Sequence, residues 1–329
     1  MPSTGVVIGK FYPPHRGHHF LIDTARSRVD ELSAIVGARP AERPDAALRA
    51  AWLREVHPGV RVLVAEDRYS ADGDSLLWAR LTVRWLGRTP DVAFTSEEYG
   101  PRWARLMGCA HVAVDPDRVR FPVSGTAVRA DPLACWEFLE PCVRAHFAAR
   151  VVVVGAESTG TTTMARALAE RYRTCWVPDY GRERSEELMR RFGGYRWSSA
   201  DFTEIAAEQS RREDVAARLA DRLLVCDTDA LATAIWHERY LGVRSAEVEA
   251  IAAARRCDLY LLTGVDAPFV QDGLRDGEHL REWMHGRFLA ELTRSGVPFA
   301  VLTGSHERRL AQAAELIEAR WPRLAPVAE

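Results

Sequence analysis

Apolar residues recur along the chain as short β-branched runs, each followed by a longer stretch in which they return every three or four positions. Runs at Val6-Val7-Ile8, Ser33 to Gly37, Val60 to Ala65, Val92 to Thr95 and His111 to Val114 read as strands. After a helical stretch expected over Pro132 to Ala149, a second series opens with Val151 to Val154 and continues through Leu223 to Cys226, Leu259 to Thr263 and Phe299 to Leu302. Alternation of this kind builds βαβ units with parallel strands and helices on both faces of the sheet. The expected fold class is therefore α/β, with two tandem doubly wound parallel-sheet domains over residues 1–147 and 148–329. Each series begins with a strand running into a Gly-rich turn, but the two turns differ in sequence, so the halves are not duplicates.

Composition narrows the function classes. A chain of 329 residues, 47% hydrophobic and 27% charged, is globular and long enough for two cores. With 46 acidic against 44 basic residues it lacks the clustered positive charge that a nucleic-acid footprint needs. No apolar run approaches the roughly 18 residues of a bilayer span, and the N-terminus lacks the pattern of a signal peptide. A cytoplasmic protein without a membrane partner is expected. The six cysteines form no C-x-x-C pair, so neither a zinc site nor a disulfide framework is expected. Among the 44 basic residues, Lys10 is the only lysine.

Candidate chemistry begins at that lysine. The strand Val6-Val7-Ile8 leads into Gly9-Lys10-Phe11-Tyr12-Pro13-Pro14-His15-Arg16-Gly17-His18, and apolar positions at helical spacing follow from Phe20. His15 and His18 thus fall where loop becomes helix, and a helix N-terminus offers unpaired N–H groups and a positive dipole end to an anion. The second series repeats the layout with a different loop. Val151 to Val154 runs into Gly155-Ala156-Glu157-Ser158-Thr159-Gly160-Thr161-Thr162-Thr163, a G-x-x-x-x-G phosphate loop with Thr161 where lysine is usual and Thr162 at the hydroxyl position that binds Mg²⁺. The strand Leu223 to Cys226 ends in Asp227, placed as a Walker-B-like Mg²⁺ ligand.

The first loop resembles the G-x-F-x-P-x-H-x-G-H signature of the nucleotidylyltransferase superfamily, and Val123-Ser124-Gly125-Thr126-Ala127-Val128-Arg129 resembles its second signature. Within it, Lys10, the SGTxxR form and Phe94 to Tyr99 look most like the nicotinamide-mononucleotide (NMN) adenylyltransferase domain of NadR-type proteins. The resemblance continues into their ribosylnicotinamide kinase domain through Gly155 to Gly160, Asp179-Tyr180-Gly181-Arg182-Glu183 and Phe269-Val270-Gln271-Asp272-Gly273-Leu274-Arg275. It implies a Rossmann-like nucleotidylyltransferase followed by a P-loop kinase. The first half would join NMN to ATP, giving NAD and pyrophosphate. The second would phosphorylate ribosylnicotinamide to NMN, with Mg²⁺ as cofactor and ATP as substrate.

By the same resemblance the catalytic residues are His15, His18, Lys10, Arg129 and Asp179. ATP would be held by Gly9, Phe11, Gly17, Ser124, Gly125 and Thr126 in the first half. In the second it would be held by Gly155, Glu157, Ser158, Thr159, Gly160, Thr161, Thr162, Thr163 and Arg275, with Thr162 and Asp227 on the metal. Arg166, Arg182 and Arg275 are candidates to replace the missing lysine charge. Trp52, Trp78, Trp85 and Trp103 are candidates to stack on a nicotinamide ring, core packing being the competing role for each. The partners implied are these small molecules, with a homo-oligomer allowed and no nucleic acid, since a strand beginning at Val6 leaves no room for the helix-turn-helix segment of some relatives. Two alternatives stand beside this: a monofunctional adenylyltransferase with a degenerate kinase half, and a nucleotide-binding sensor.

Overall fold

The computed structural model describes residues 2–66, 74–194 and 196–325. The chain divides into two compact units, Met1–Val143 and Arg144–Glu329. In the first, β1 (Thr4–Gly9), β2 (Glu31–Ala38), β3 (Arg61–Glu66), β4 (Val92–Thr95) and β5 (Ala110–Ala113) form a parallel sheet in the order β3-β2-β1-β4-β5. Successive strand residues face opposite ways. Val7 of β1 therefore joins an apolar cluster with Ala34, Val36 and Phe94, while Val6 joins another with Ile35 and Ala93 on the opposite face. Both faces need cover, and the helices Arg16–Arg26, Ala46–Val56, Ser75–Leu86 and Gly100–Met107 alternate with the strands to give it.

The second unit holds β6 (Ala149–Val154), β7 (Trp176–Val177), β8 (Leu223–Asp227), β9 (Leu259–Thr263) and β10 (Phe299–Leu302), again all parallel, in the order β10-β9-β6-β8-β7. Nine of these ten strands coincide with the runs read from sequence. The tenth, β7, is two residues long and carries no periodic signal. Pro132 to Ala149 is not one helix. It breaks into a 3₁₀ turn at Trp136–Phe138 and a helix at Pro141–Phe147, because proline has no N–H to donate and restrains the residue before it. Among the described residues, no helix is long and apolar enough to cross a membrane.

In each unit the loop after the central strand, β1 or β6, emerges at the carboxyl edge of the sheet. Open parallel sheets bind ligands at that edge, where the strand order reverses direction.

Candidate active sites

In the first unit, chain order runs outward from β1 in one direction through β2 and β3, then restarts beside β1 with β4. Loops following β1 and β4 diverge there and leave a cavity of about 750 Å³ lined by Lys10, His15, His18, Thr95, Thr126 and Arg129, among others. His15 is the N-cap of the helix Arg16–Arg26, yet its side chain caps nothing. The His15 and His18 rings lie 3.8 Å apart between centroids, and the Nδ1 of each is buried without a hydrogen-bond partner. Burial, then the Arg118 guanidinium, pulls the His15 imidazole down to about 4. Burial, followed by His15, His19 and Arg118, holds His18 well below the usual imidazole range. Both rings are therefore neutral at pH 7, and each has one N–H to donate.

The two sequence signatures meet on this cavity. Arg129 donates to the Tyr12 carbonyl (2.6 Å) and to Thr126 Oγ1 (3.1 Å), with its guanidinium 4.5 Å from the Tyr12 ring centroid. Ser124 caps the helix Gly125–Ala130 by accepting from the Ala127 N–H. Gly125 is required by the close approach, since a Cβ there would stand 2.6 Å from the Tyr12 carbonyl oxygen. Gly9, Phe11 and Gly17 line the cavity as well. Lys10 Nζ lies 3.9 Å from Glu42, and Arg118, which no motif marks, joins Glu97 at 3.0 Å on the wall. Of the four tryptophans, Trp78 and Trp103 line the cavity, whereas Trp52 does not and is buried in the core. Trp85 packs beside Trp78 away from the cavity lining.

A smaller cavity, about 160 Å³, follows β6 in the second unit. Gly155, Glu157, Ser158, Thr161 and Thr162 line it together with Asp179, Asp227 and Arg275. Thr162 donates its hydroxyl hydrogen bond to the Asp227 carboxylate at 2.5 Å. Asp227, at the end of β8, is buried, and that burial raises its carboxyl above the usual range. Asp179 caps the helix Tyr180–Phe192 through the Gly181 N–H, and burial, then the nearby Asp227 charge, pushes it up to about 7. A hydroxyl and a carboxylate side by side are hard oxygen donors of the kind Mg²⁺ takes. Among the described residues, no group of three or more His, Cys, Asp or Glu is placed to hold a metal ion.

Other loop residues turn elsewhere. Thr159 is buried and bonds the Ala156 carbonyl and the Thr263 hydroxyl, while Thr163 is exposed; neither lines the cavity, nor does Gly160. Glu157 points its carboxylate at the Gly277 N–H (2.8 Å) and at Arg239 (3.6 Å). Ser158 Oγ accepts from the Val270 N–H and, at 3.4 Å, from Arg275. The segment from Val270 to Gly277 is thereby fastened to the loop. Of the arginines considered for the missing lysine charge, Arg182 and Arg275 reach the cavity and share Asp272 between them. Arg166 is exposed and does not line the cavity. An aromatic wall of Trp197, Phe202, Trp236 and Tyr240 also lines this cavity, drawn from two helices and a loop. No local motif announces it.

Comparison with known proteins places the chain. An AAA domain family model matches residues 150–309. The Trifunctional NAD biosynthesis/regulator protein NadR of Escherichia coli (strain K12) is 30% identical over 298 residues, covering 83% of this chain and 72% of the relative. The chain belongs to the NadR family. Its counterpart from Salmonella typhimurium (strain LT2) is 28% identical, covering 96% of this chain and 83% of its own. A crystal structure of NadR protein in complex with NR matches the whole of this chain and 98% of its own with a TM-score of 0.80 at 20% identity. A second, of NadR protein in complex with NAD and AMP-PNP, gives 0.76 at 19%. At such identity these two speak for the fold alone, which in this chain is an α/β pair of parallel five-stranded sheets.

Proposed function

We propose that this NadR-family chain is a bifunctional enzyme of NAD biosynthesis. Its first unit, Met1–Val143, would be an NMN adenylyltransferase, and its second, Arg144–Glu329, a ribosylnicotinamide kinase. The observation that carries the reading is the convergence of His15, His18, Thr126 and Arg129 on one cavity at the switch point of the first sheet.

In the first site a 5′-phosphate oxygen of NMN attacks the α-phosphorus of ATP, and the bond to the pyrophosphate oxygen breaks. The nucleophile is already an anion and has no proton to lose, so positioning and charge stabilisation dominate. His15 and His18 donate hydrogen bonds to the charge that develops on the α-phosphate. Ser124, Thr126, Arg129 and Lys10 hold the departing β- and γ-phosphates, with Arg129 as a fork donor.

The acceptor of the second site is a ribose 5′-hydroxyl, which does carry a proton. Asp179, poised near neutrality, accepts that proton as the oxygen attacks the γ-phosphorus and ADP leaves. Thr162 and Asp227 would hold Mg²⁺, which when bound neutralises phosphate charge. Arg275 and Arg182 add positive charge on the side where lysine is absent. The aromatic wall gives the nicotinamide ring a face to stack on.

One experiment separates the outcomes. The full chain is incubated with ATP, Mg²⁺ and either ribosylnicotinamide or NMN, and products are identified by mass. NAD from both substrates is expected. NAD from NMN alone would leave a degenerate kinase half, for which Thr161 in the lysine position is the favouring observation, and no product from either would leave a sensor.

A further inference from the structure

Two arginines outside every motif are almost completely enclosed: Arg49 is 0% exposed and Arg309 is 4% exposed. Their surroundings match. Arg49, on the helix Ala46–Val56, donates to the Lys10 carbonyl and to Glu42 (2.6 Å). Arg309, on the helix His306–Arg320, donates to the Thr159 carbonyl (2.6 Å), to the Gly264 carbonyl (3.1 Å) and to Asp266. Each guanidinium thus reaches into a phosphate loop from behind, takes hold of one loop carbonyl, and is balanced by one acid.

The peptide group explains why that contact matters. In a trans peptide the C=O and the following N–H point in opposite directions within one plane. A carbonyl pulled inward at Lys10 turns the Phe11 N–H outward, and one pulled inward at Thr159 turns the Gly160 N–H outward. The residue after each held carbonyl is left-handed, Phe11 at φ 46° and Gly160 at φ 88°. Phe11 pays a steric penalty for this conformation and needs neighbours that enforce it. Outward N–H groups in such turns form an anion-binding concavity. Neither loop carbonyl could be buried without a donor, so the arginine is also what permits the loop to close over the sheet.

We propose that Arg49 and Arg309 are the positioning residues of the two phosphate loops, each fixing a loop carbonyl so that the adjoining N–H faces the bound phosphate. The proposal rests on the reading above only in taking both loops as phosphate sites. Behind the second loop, Arg309 also places a guanidinium, paired with Asp266, where the loop itself lacks its lysine.

The test uses the full chain with Arg309→Met, Arg309→Lys, Arg49→Met and Arg49→Lys. Amide hydrogen exchange is followed over residues 155–162 and 9–15, and Mg·ATP is titrated by the protection it gives each segment. Arg309→Met should speed exchange in 155–162 alone and weaken ATP there about 10- to 100-fold, as expected for a buried carbonyl left unpaired. In turnover the loss should appear in KM for ATP more than in kcat, the lysine variant should recover part of it, and adenylyl transfer should be unchanged. Arg49→Met should do the reverse. Unaltered loop exchange and ATP protection in the methionine variants would overturn the proposal, as would exchange rising throughout a unit in both the methionine and lysine variants, since the arginine would then hold the fold and not the loop. Should the unaltered chain fail to make NMN or NAD, the assigned reactions would fall while the exchange result still decides the anchors.

Discussion

The two cavities bring different side chains to what the proposed reactions make the same electrostatic problem. On the proposed reading the first cavity would meet phosphate with neutral imidazoles and an arginine fork, and the acids on its wall are already engaged: Glu42 with Arg49 and Lys10, Glu97 with Arg118, and Asp115 with the Val119 and Arg120 N–H groups. The second cavity places two carboxyls, Asp179 and Asp227, close enough for one to raise the other. On the proposed reactions, the contrast follows the nucleophile. A phosphate oxygen needs no base, whereas a ribose hydroxyl must give up a proton, and only the second site holds a carboxyl poised near neutrality to take it. On that reading a phosphate loop is a common frame, and the groups facing it decide which acceptor it serves.

The strongest way to break this comparison is to remove the distinguishing group from each side. His18→Ala should lower NAD formation from NMN by about 10²–10³-fold, the range for loss of a charge-stabilising donor. Asp179→Asn should lower NMN formation by about 10²–10⁴-fold, the range for loss of a general base. Each variant should leave the other reaction within about twofold, and both activities are read from the same preparation by product mass. If Asp179→Asn kept most of its kinase activity, the base would have to lie elsewhere and the contrast between nucleophiles would lose its structural footing.

How far the sequence reveals each site depends on how locally the site is built. The first cavity's Lys10, His15 and His18 come from one loop, and Ser124, Thr126 and Arg129 from another, so short motifs capture them. Asp227 is legible for a similar reason, as an acid ending an apolar strand. The aromatic wall is not, because Trp197, Phe202, Trp236 and Tyr240 are spread over more than forty positions and each alone reads as core. Arg118, Arg49 and Arg309 escape for the same reason: buried or wall-forming arginines have no spacing rule, and only the fold brings Arg309 to Thr159, 150 residues away. The break at Pro141 was a local signal, but the apolar content around it masked it.

Acidity gives a gentler probe of the same difference. As the proposed base Asp179 would work ionised, and its folded value stands at about 7. Kinase kcat/KM should therefore be on its plateau above pH 8 and fall as pH drops through 7, by about tenfold at pH 6 relative to the plateau. His15 stands at about 4 and His18 well below its usual range, so both rings stay neutral across that interval. Adenylyl-transfer kcat/KM should be flat from pH 6 to pH 8. Parallel profiles for the two reactions would mean that the carboxyl pair does not set the kinase profile.

The smallest expected effect concerns the missing lysine. Thr161 begins the helix Thr161–Arg171 and faces the second cavity, so Thr161→Lys would return an ammonium to the position from which such loops usually reach the β- and γ-phosphates. If that charge were simply absent, restoring it should raise kinase kcat/KM by tenfold or more, about 1.4 kcal/mol. Arg275 and Arg182 already reach the cavity, however, and Arg309 stands behind the loop, held by the Thr159 and Gly264 carbonyls. With three guanidinium groups in place, a fourth cation adds to a field that already favours phosphate, although Asp272 tempers the first two and Asp266 the third. The gain should therefore be less than about threefold, the scale of a partly screened charge near a surface. A larger gain would show that the arginines do not replace the lysine, and the second site would then be an impaired version of the usual loop instead of a rebuilt one.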